Sequence, residues 1–469
     1  MKTMLIKQFH RKFVYESIIL VARRFQSTHE VSSKHYDVIV AGGGMVGTTL
    51  ACTLGKNPKL SQKKILLLEG SKQSSWKLPD AYSNRVSALN AVTFELLNDI
   101  DAWKHIAGAR FGPVKRMQVW DAMSDAAISF DHDNLEKPVA YIVENDVLLN
   151  AVRQEMENVK TVEVLYESKI QKCSHSDAEE DLVTICMENG AKYTCELLLG
   201  CDGANSLVRT SMGFHHISSN YNHMGIVASL KLPQDFDNVV AWQRHLPKSG
   251  FLALLPLTEG LSSMVWSTNE ENAKNLIKLP ENEFVDAINE ALWKVYPKSR
   301  LVNQTMQAFD NLVRFFDLPS TSVTQLPPKI LGCDINSRAM FPLGLGHATN
   351  YVGKGVALVG DAAHRIHPLA GQGVNLGFGD IICLNRILGE AVYSGSKMGS
   401  LLYLKEYETE RQKYNVPMML VVHGLFHLYS TEFTPLVLLR SLGLQATHAL
   451  SPLKKLLLSR ASGLRYWET

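Results

Sequence analysis

The chain has 469 residues, 46% of them hydrophobic and 20% charged, an ordinary globular composition with length for two or three domains. A net charge of +2 gives no field strong enough to gather nucleic acid or an acidic partner. Seven scattered cysteines, none in a C-x-x-C pair, argue against a disulfide framework or a zinc site and fit buried thiols in a reducing compartment.

Residues 1–35 differ from the rest. Lys2, Lys7, Arg11, Lys12, Arg23 and Arg24 are interleaved with Met4, Leu5, Phe9, Phe13 and Ile18–Leu20, and Glu16 is the sole acid before Glu30. A basic, acid-poor, amphipathic leader predicts a mitochondrial transit peptide, and its apolar core is too short to span a bilayer. Tyr36–Ala41 then reads as a buried parallel strand. Gly42, Gly44 and Gly47 follow as G-x-G-x-x-G, opening a helix that runs to Asn57, and a second strand, Lys64–Leu68, ends at Glu69. The order strand, glycines, helix, strand, acid is that of a dinucleotide site. Gly42 makes the turn, Gly44 lets a pyrophosphate approach, Gly47 packs the helix on the sheet, and the acid meets a ribose hydroxyl. The helix start adds free N–H groups and a favourable dipole for the anion.

Arg85, in Asn84–Leu89, precedes a helix over Val92–Trp103; a phosphate contact and a surface ion pair suit it equally on charge alone. Strands are expected within 117–130, a helix over Val147–Val159, and strands at Val162–Tyr166, Leu182–Met187 and Tyr193–Cys195. Another buried strand runs into Asp202-Gly203, with Arg209 beyond. Asp202 stands where open α/β sheets bind ligands, although an Asx turn or helix cap would also use it. Between 211 and 343 the pattern turns to β-strands, with one amphipathic helix over Glu281–Tyr296. This suggests an inserted antiparallel sheet, in which Trp242, Phe251, Trp266 and Phe341 are either an aromatic-binding wall or plain core.

A third buried strand, Gly355–Val359, ends in Gly360-Asp361. It leads through His364, His367, Pro368 and Gly371-Gln372-Gly373 to Asn375 and a helix. Asp361 suits a sugar-alcohol hydroxyl, and the Gly371–Gly373 amides with the helix start suit an anionic ring system. His364 and His367 lack a third ligand at sensible spacing, so no metal is expected. Beyond Leu401 the chain reads as helical. Tyr403–Tyr414 is charged, while Val416–Leu428 and Leu436–Leu458 are apolar without a clean membrane span. Packing on the core and interfacial or partner docking both suit these helices.

The three motifs together, Gly42–Gly47 with Glu69, Asp202-Gly203 with Arg209, and Gly360-Asp361 with Gly371–Gly373, resemble the para-hydroxybenzoate hydroxylase-like FAD hydroxylases over roughly residues 36–415. Asn84–Leu89, Asp361-Ala-Ala-His364-x-x-His367-Pro368 and Gly371-Gln372-Gly373-x-Asn375-Leu376-Gly377 resemble the ubiquinone-biosynthesis subgroup. Cys201, where many relatives carry a small residue such as Ala, departs from that pattern. The resemblance implies an α/β fold: a Rossmann-like FAD-binding domain in two parts (36–210 and 344–390), an inserted antiparallel substrate sheet (211–343), and a helical region (391–469) after the 1–35 leader.

It also implies FAD bound by Gly42, Gly44, Gly47, Glu69, Arg85, Asp202, Gly203, Asp361, Gly373 and Asn375. Pro368, Gly371, Gln372 and Gly373 would border the isoalloxazine, and no catalytic acid or base is named. Oxygen would add at flavin C4a and pass to an electron-rich ring with water excluded. The implied substrate is a polyprenylated 4-hydroxybenzoate or phenol, hydroxylated at C5 with C1 as a second position. Electrons would come from NADPH, directly or through ferredoxin and its reductase, and no separate NADPH-binding Rossmann unit is visible. The implied setting is a biosynthetic complex peripheral to the matrix face of the mitochondrial inner membrane, with no nucleic acid. Two alternatives are a hydroxylase of a small soluble aromatic of the kynurenine type and a non-catalytic prenyl-lipid carrier. Intact flavin motifs argue against the carrier.

Overall fold

The computed structural model describes residues 34–461 apart from 74, 133–134, 177–180, 248–249 and 317–325. The expected leader lies outside the described residues except for Lys34 and His35, which begin the first strand.

The first layer is an eight-stranded sheet. Strand β1 (Lys34–Ala41) pairs in parallel with β2 (Ile65–Leu68) on one side and with Lys192–Gly200 on the other. Val162–Leu165 and Val356–Leu358 extend the parallel core outwards. Helices cover such a sheet on both faces, which is why Val38–Ala41 and Ile65–Leu68 are unbroken apolar runs and fully buried. Helix α1 (Met45–Lys56) leaves the first glycine turn, and helix α2 (Gly373–Tyr393) packs beside it.

The second layer is nine-stranded and mostly antiparallel. It is wider than the 211–343 expectation. Arg116–Asp121 and Ala127–Asp131 join it, the former pairing in parallel with Val240–Leu246, and His364–Arg365 closes its other edge. Three helices accompany it rather than one: Glu270–Lys278, Glu281–Trp293 and Arg300–Phe315. Side chains alternate across a strand. In Gly250–Thr258, Leu252 and Leu254 face the helices with Trp242, Trp266 and Phe284, while Phe251 and Ala253 face the opposite way. Trp242 and Trp266 are therefore core. Of the four expected wall aromatics, Phe251 is buried in the cluster on the opposite face of the sheet, and Phe341 is exposed over Gly225.

The region after Leu401 is helical, as expected, in three segments. Helix α3 (Leu401–Tyr429) runs through Pro417 without ending, while the apolar stretch after 433 divides into α4 (Thr434–Ala449) and α5 (Ser451–Ala461). Pro452 at the start of α5 has no N–H to continue α4. Among the described residues no helix is long and apolar enough to cross a membrane.

Candidate active site

Three turns at the carboxyl ends of parallel strands meet. The first is Gly42–Gly44. Gly42 has φ +105°, and a Cβ there would stand 2.6 Å from the Cys201 carbonyl oxygen, so this turn lies directly against the Cys201-Asp202 turn. Gly47 is forced by contact, since a Cβ would collide with the Gly42 carbonyl. Gly44 differs: nothing lies within 4 Å of a Cβ built on it, and it caps α1 without any side-chain hydrogen bond or acid in the first turn. Glu69 accepts from the Gly43 N–H at 2.8 Å and the Ser71 N–H at 2.7 Å, which fixes its carboxylate beside the glycine loop.

The third turn, Gly360-Asp361, sits on α1. A Cβ on Gly360 would be 3.2 Å from Val46, and one on Gly377 2.9 Å from the same side chain. Arg209 is the strut between the second and third turns; its buried guanidinium donates to the carbonyls of Ala362 (2.8 Å) and Ala204 (2.7 Å). Asp361 is solvent-accessible, yet the surrounding protein pushes its pKa above the ordinary carboxylate value, opposed by His364 and Arg365. Behind it lies Asp380, fully buried on α2. Its Oδ2 accepts from the Gly360 N–H at 3.0 Å and from His364 Nε2 at 2.6 Å. Its Oδ1 accepts from Arg411 at 2.7 Å and Asn415 at 3.2 Å. Burial alone would raise the Asp380 pKa, but the charges of His364 and Arg411 and these hydrogen bonds hold it well below the usual range.

Beside the third turn lies a buried apolar cluster. Ile366, Leu369 and Leu376 pack in one cluster with Phe251 and Ala253 of the second sheet and Met419 and Val422 of α3. Beside it the His367 ring meets Tyr221, Phe251 and Phe426, with centroids 4.9, 5.8 and 4.8 Å away. The Leu369 N–H donates to His367 Nδ1 at 3.2 Å, so Nε2 carries the proton; that N–H is buried with no partner. Burial, reinforced by His223, lowers the His367 pKa to about 3, so the ring is neutral at physiological pH. His423 Nδ1 lies 3.0 Å from the Tyr221 hydroxyl, whose pKa burial raises.

The FAD binding domain family matches residues 35–308 and 324–419. A mitochondrial ubiquinone biosynthesis monooxygenase COQ6 from Drosophila melanogaster is 50% identical over 448 residues, covering 95% of this chain and 93% of that protein. The Homo sapiens protein of the same name is 46% identical, with 91% and 92% covered. The chain belongs to the COQ6 ubiquinone biosynthesis monooxygenases. In fold, this FAD-dependent monooxygenase is also similar to p-nitrophenol 4-monooxygenase PnpA of Pseudomonas putida (TM-score 0.67, 16% identity, 92% of this chain and 100% of that one). It is similar likewise to Pseudomonas aeruginosa PqsL in complex with 2-aminobenzoylacetate (TM-score 0.65, 18% identity, 88% and 99%).

The residues of this COQ6-family chain fit FAD. Gly44 leaves the space a phosphate needs, and the starts of α1 and α2 are both uncapped by side chains. Gly371, at φ +61°, brings its turn to Ala88, so the strand Val86–Leu89 that follows Arg85 runs alongside; Arg85 itself is exposed and makes no described side-chain hydrogen bond. Gln372 stands as N-cap of α2 without bonding it, and Pro368 opens the one-turn helix Pro368–Ala370 beside the apolar cluster.

Two expected ligands have their side chains engaged by protein. Asp202 Oδ2 accepts from the N–H groups of Leu207 (2.7 Å) and Val208 (3.0 Å), the helix-capping alternative, while Gly203 holds φ +80° beside it. Asn375 Oδ1 accepts from the Asn90 N–H and the Thr93 hydroxyl, and its Nδ2 donates to the carbonyls of Ala88 and Gly371. It ties the Gly371 turn to the Arg85 strand. Sequence reasoning missed Asp380 and Arg411, although an acid within the apolar run of α2 was a signal. Among the described residues no metal-holding cluster occurs.

Proposed function

We propose that this chain hydroxylates the aromatic ring of a polyprenylated 4-hydroxybenzoate or phenol intermediate of ubiquinone synthesis at C5, with C1 as a second position. At C5 a ring C–H, O2, two electrons and two protons give a ring C–OH and water; at C1, where a benzoate carries its carboxyl, the same O2, electrons and protons give a ring C–OH, water and CO2 as the carbon–carboxyl bond breaks. FAD, when bound, supplies the activation of oxygen. The electrons originate in NADPH, passed directly or through a ferredoxin and its reductase. The enzyme works in the mitochondrion, peripheral to the matrix face of the inner membrane and alongside other enzymes of the pathway.

The protein's own part is binding, orientation and dryness. Gly42, Gly44 and the start of α1 take the pyrophosphate, Glu69 the adenosine ribose, and Asp361 the ribityl chain. Arg85 and Gly203 reach the cofactor from the Gly371 and Arg209 sides, and Asp202 and Asn375 hold the turns that do so. Pro368, Gly371 and Gln372 border the isoalloxazine, and the positive end of α2 at Gly373 favours negative charge on it. The cluster of Phe251, Ala253, Val422 and Met419 keeps water from the reacting oxygen and accepts an apolar ring. The neutral His367 places a donor at that cluster without placing a charge there.

The observation that carries this reading is the 50% identity to a COQ6 monooxygenase over 95% of the chain, supported by the apolar cluster that flanks the Gly371–Gly373 turn through Leu369 and Leu376. The test is metabolite analysis of cells lacking the protein, which should accumulate a prenylated precursor without the C5 hydroxyl. Accumulation of a precursor already hydroxylated at C5, or of none, refutes it.

A further inference from the structure

Helix α3 has two apolar faces. One carries Met419 and Val422 into the buried apolar cluster; the other exposes Leu420 (64%) and Val421 (57%). Helix α4 repeats the pattern. Val437, Arg440 and Ser441 are buried, while the outward stripe carries Leu436, Leu439 (61%), Gly443 and Leu450 without a charge. The two helices are joined by a short connection whose Phe433 is itself 64% exposed, and Arg440 locks them by donating to the Leu428 and Thr431 carbonyls. From Tyr414 to Leu453 the only charged residues are Glu432 and Arg440, and Arg440 is buried on Asp121. Solvent-facing helix surfaces normally carry charge, so exposed apolar positions on two joined helices, with Glu432 the single exposed charge between Tyr414 and Leu453, mark a contact site.

The flanks of the face say what covers it. Lys413 precedes it, and Lys454, Lys455 and Arg460 follow it, whereas residues 433–461 contain no Asp or Glu. In a chain with 48 cations and 46 acids overall, Glu432 is the one acid between Tyr414 and Arg460, and Lys455 and Arg460 stand exposed at the end of the apolar face while Lys454 pairs with Asp131. That is the composition of a surface lying on anionic lipid, the apolar stripe in the acyl boundary and the cations at the headgroups. We propose that the outward face of α3–α5 around Leu420, Val421, Phe433 and Leu439 is the surface by which this protein seats on an anionic phospholipid bilayer. The inference deepens the membrane placement proposed above and rests on it. Because α3 also packs in the buried apolar cluster, an apolar substrate dissolved in the bilayer is delivered within one helix thickness of the ring site.

The test is co-sedimentation of the full-length holoenzyme with phosphatidylcholine vesicles containing phosphatidylglycerol, compared with phosphatidylcholine alone. The wild type should bind the anionic vesicles more tightly and lose binding as salt rises. The V421E/L439E variant should bind them at least about tenfold less while keeping its flavin absorbance and melting temperature. K455E/R460E should lose only the preference for anionic vesicles. Variants that bind as the wild type does overturn the face alone. A wild type that binds no vesicle overturns the membrane placement too, without touching the ring chemistry. Loss of a dimer in V421E/L439E without loss of lipid binding reassigns the face to a second copy and also overturns the proposal.

Discussion

Asp380→Asn is the sharpest probe of how the site is held. The carboxylate takes four donors on two oxygens and faces a buried guanidinium. An amide of the same shape removes the charge and turns one acceptor into a donor that must point at another donor. Breaking a buried ion pair from one side costs about 3–5 kcal/mol, because the partner is left charged and unpaired. Removing Arg411 as well, in D380N/R411M, takes away that stranded charge and should restore a good part of the loss.

The effect reaches the coenzyme because the Gly360 N–H is one of the four donors. Losing a charge-assisted hydrogen bond, about 1.5–3 kcal/mol, frees the Gly360-Asp361 turn and should weaken FAD retention by roughly tenfold or more. Urea unfolding followed by tryptophan fluorescence reads stability, and flavin released on dialysis reads retention. Since the Asp380 pKa is depressed in the folded state, its stabilisation is complete above about pH 4 and is lost only as the solution becomes strongly acidic. A D380N protein within about 1 kcal/mol of wild type, or a double variant no better than the single one, would refute the reasoning.

The two motif glycines should separate. G44A meets no protein atom, so it should leave stability unchanged and weaken FAD binding, whereas G47A drives a Cβ into the Gly42 carbonyl and should cost about 1–3 kcal/mol of stability; paired urea melts and flavin titrations tell them apart. Glu155 is buried among Lys56, Lys104 and His105, and although burial would raise its pKa their hydrogen bonds hold it at about 2. Its stabilisation is present above about pH 4.3 and fades as pH falls toward 2. Urea midpoints should therefore drop over that window in the wild type and less in E155Q. Burial pushes the thiols of Cys52 to about 11 and of Cys173 and Cys383 to about 12, whereas Cys186 is half-buried. A thiol reagent at pH 8 should label Cys186 first and the other three only on unfolding; early labelling of Cys173 would contradict the packing.

The strand–glycine–helix–strand order of the first turn was legible in the chain because Gly47 against the Gly42 carbonyl and Glu69 on the Gly43 N–H are contacts within one unit, whereas the contact that confines Gly42 itself comes from Cys201. The meeting of the three turns was legible only as a resemblance, since no local rule places Gly360 against Val46. Which way Trp242 and Trp266 face depends on strand register, and nothing local distinguishes a wall from a core when both sides of a strand are apolar. The migration of Arg116–Asp121 into the second sheet is a long-range parallel pairing, invisible to periodicity. Pro417 lies inside α3, where the packing of Asn415, Met419 and Val422 accompanies the loss of one helical hydrogen bond. Asp202 caps the Leu207 helix through Oδ2 and leaves Oδ1 without a protein partner, and Asn375 bonds Ala88, Gly371, Asn90 and Thr93, contacts that depend on long-range packing and have no local signal.

The Arg209 strut has a bearing on biogenesis. Its guanidinium, laid down early, waits for a carbonyl that arrives 153 residues later in the chain, and α2 must then settle on α1 before the nucleotide cradle is enclosed. An unfinished polypeptide emerging into its compartment thus offers only one wall of that cradle, and vitamin-derived coenzyme should be captured after chain completion, sealing the last long-range closure as it enters. Riboflavin shortage would accordingly be felt as poor maturation of newly made protein more than as slow turnover of the old.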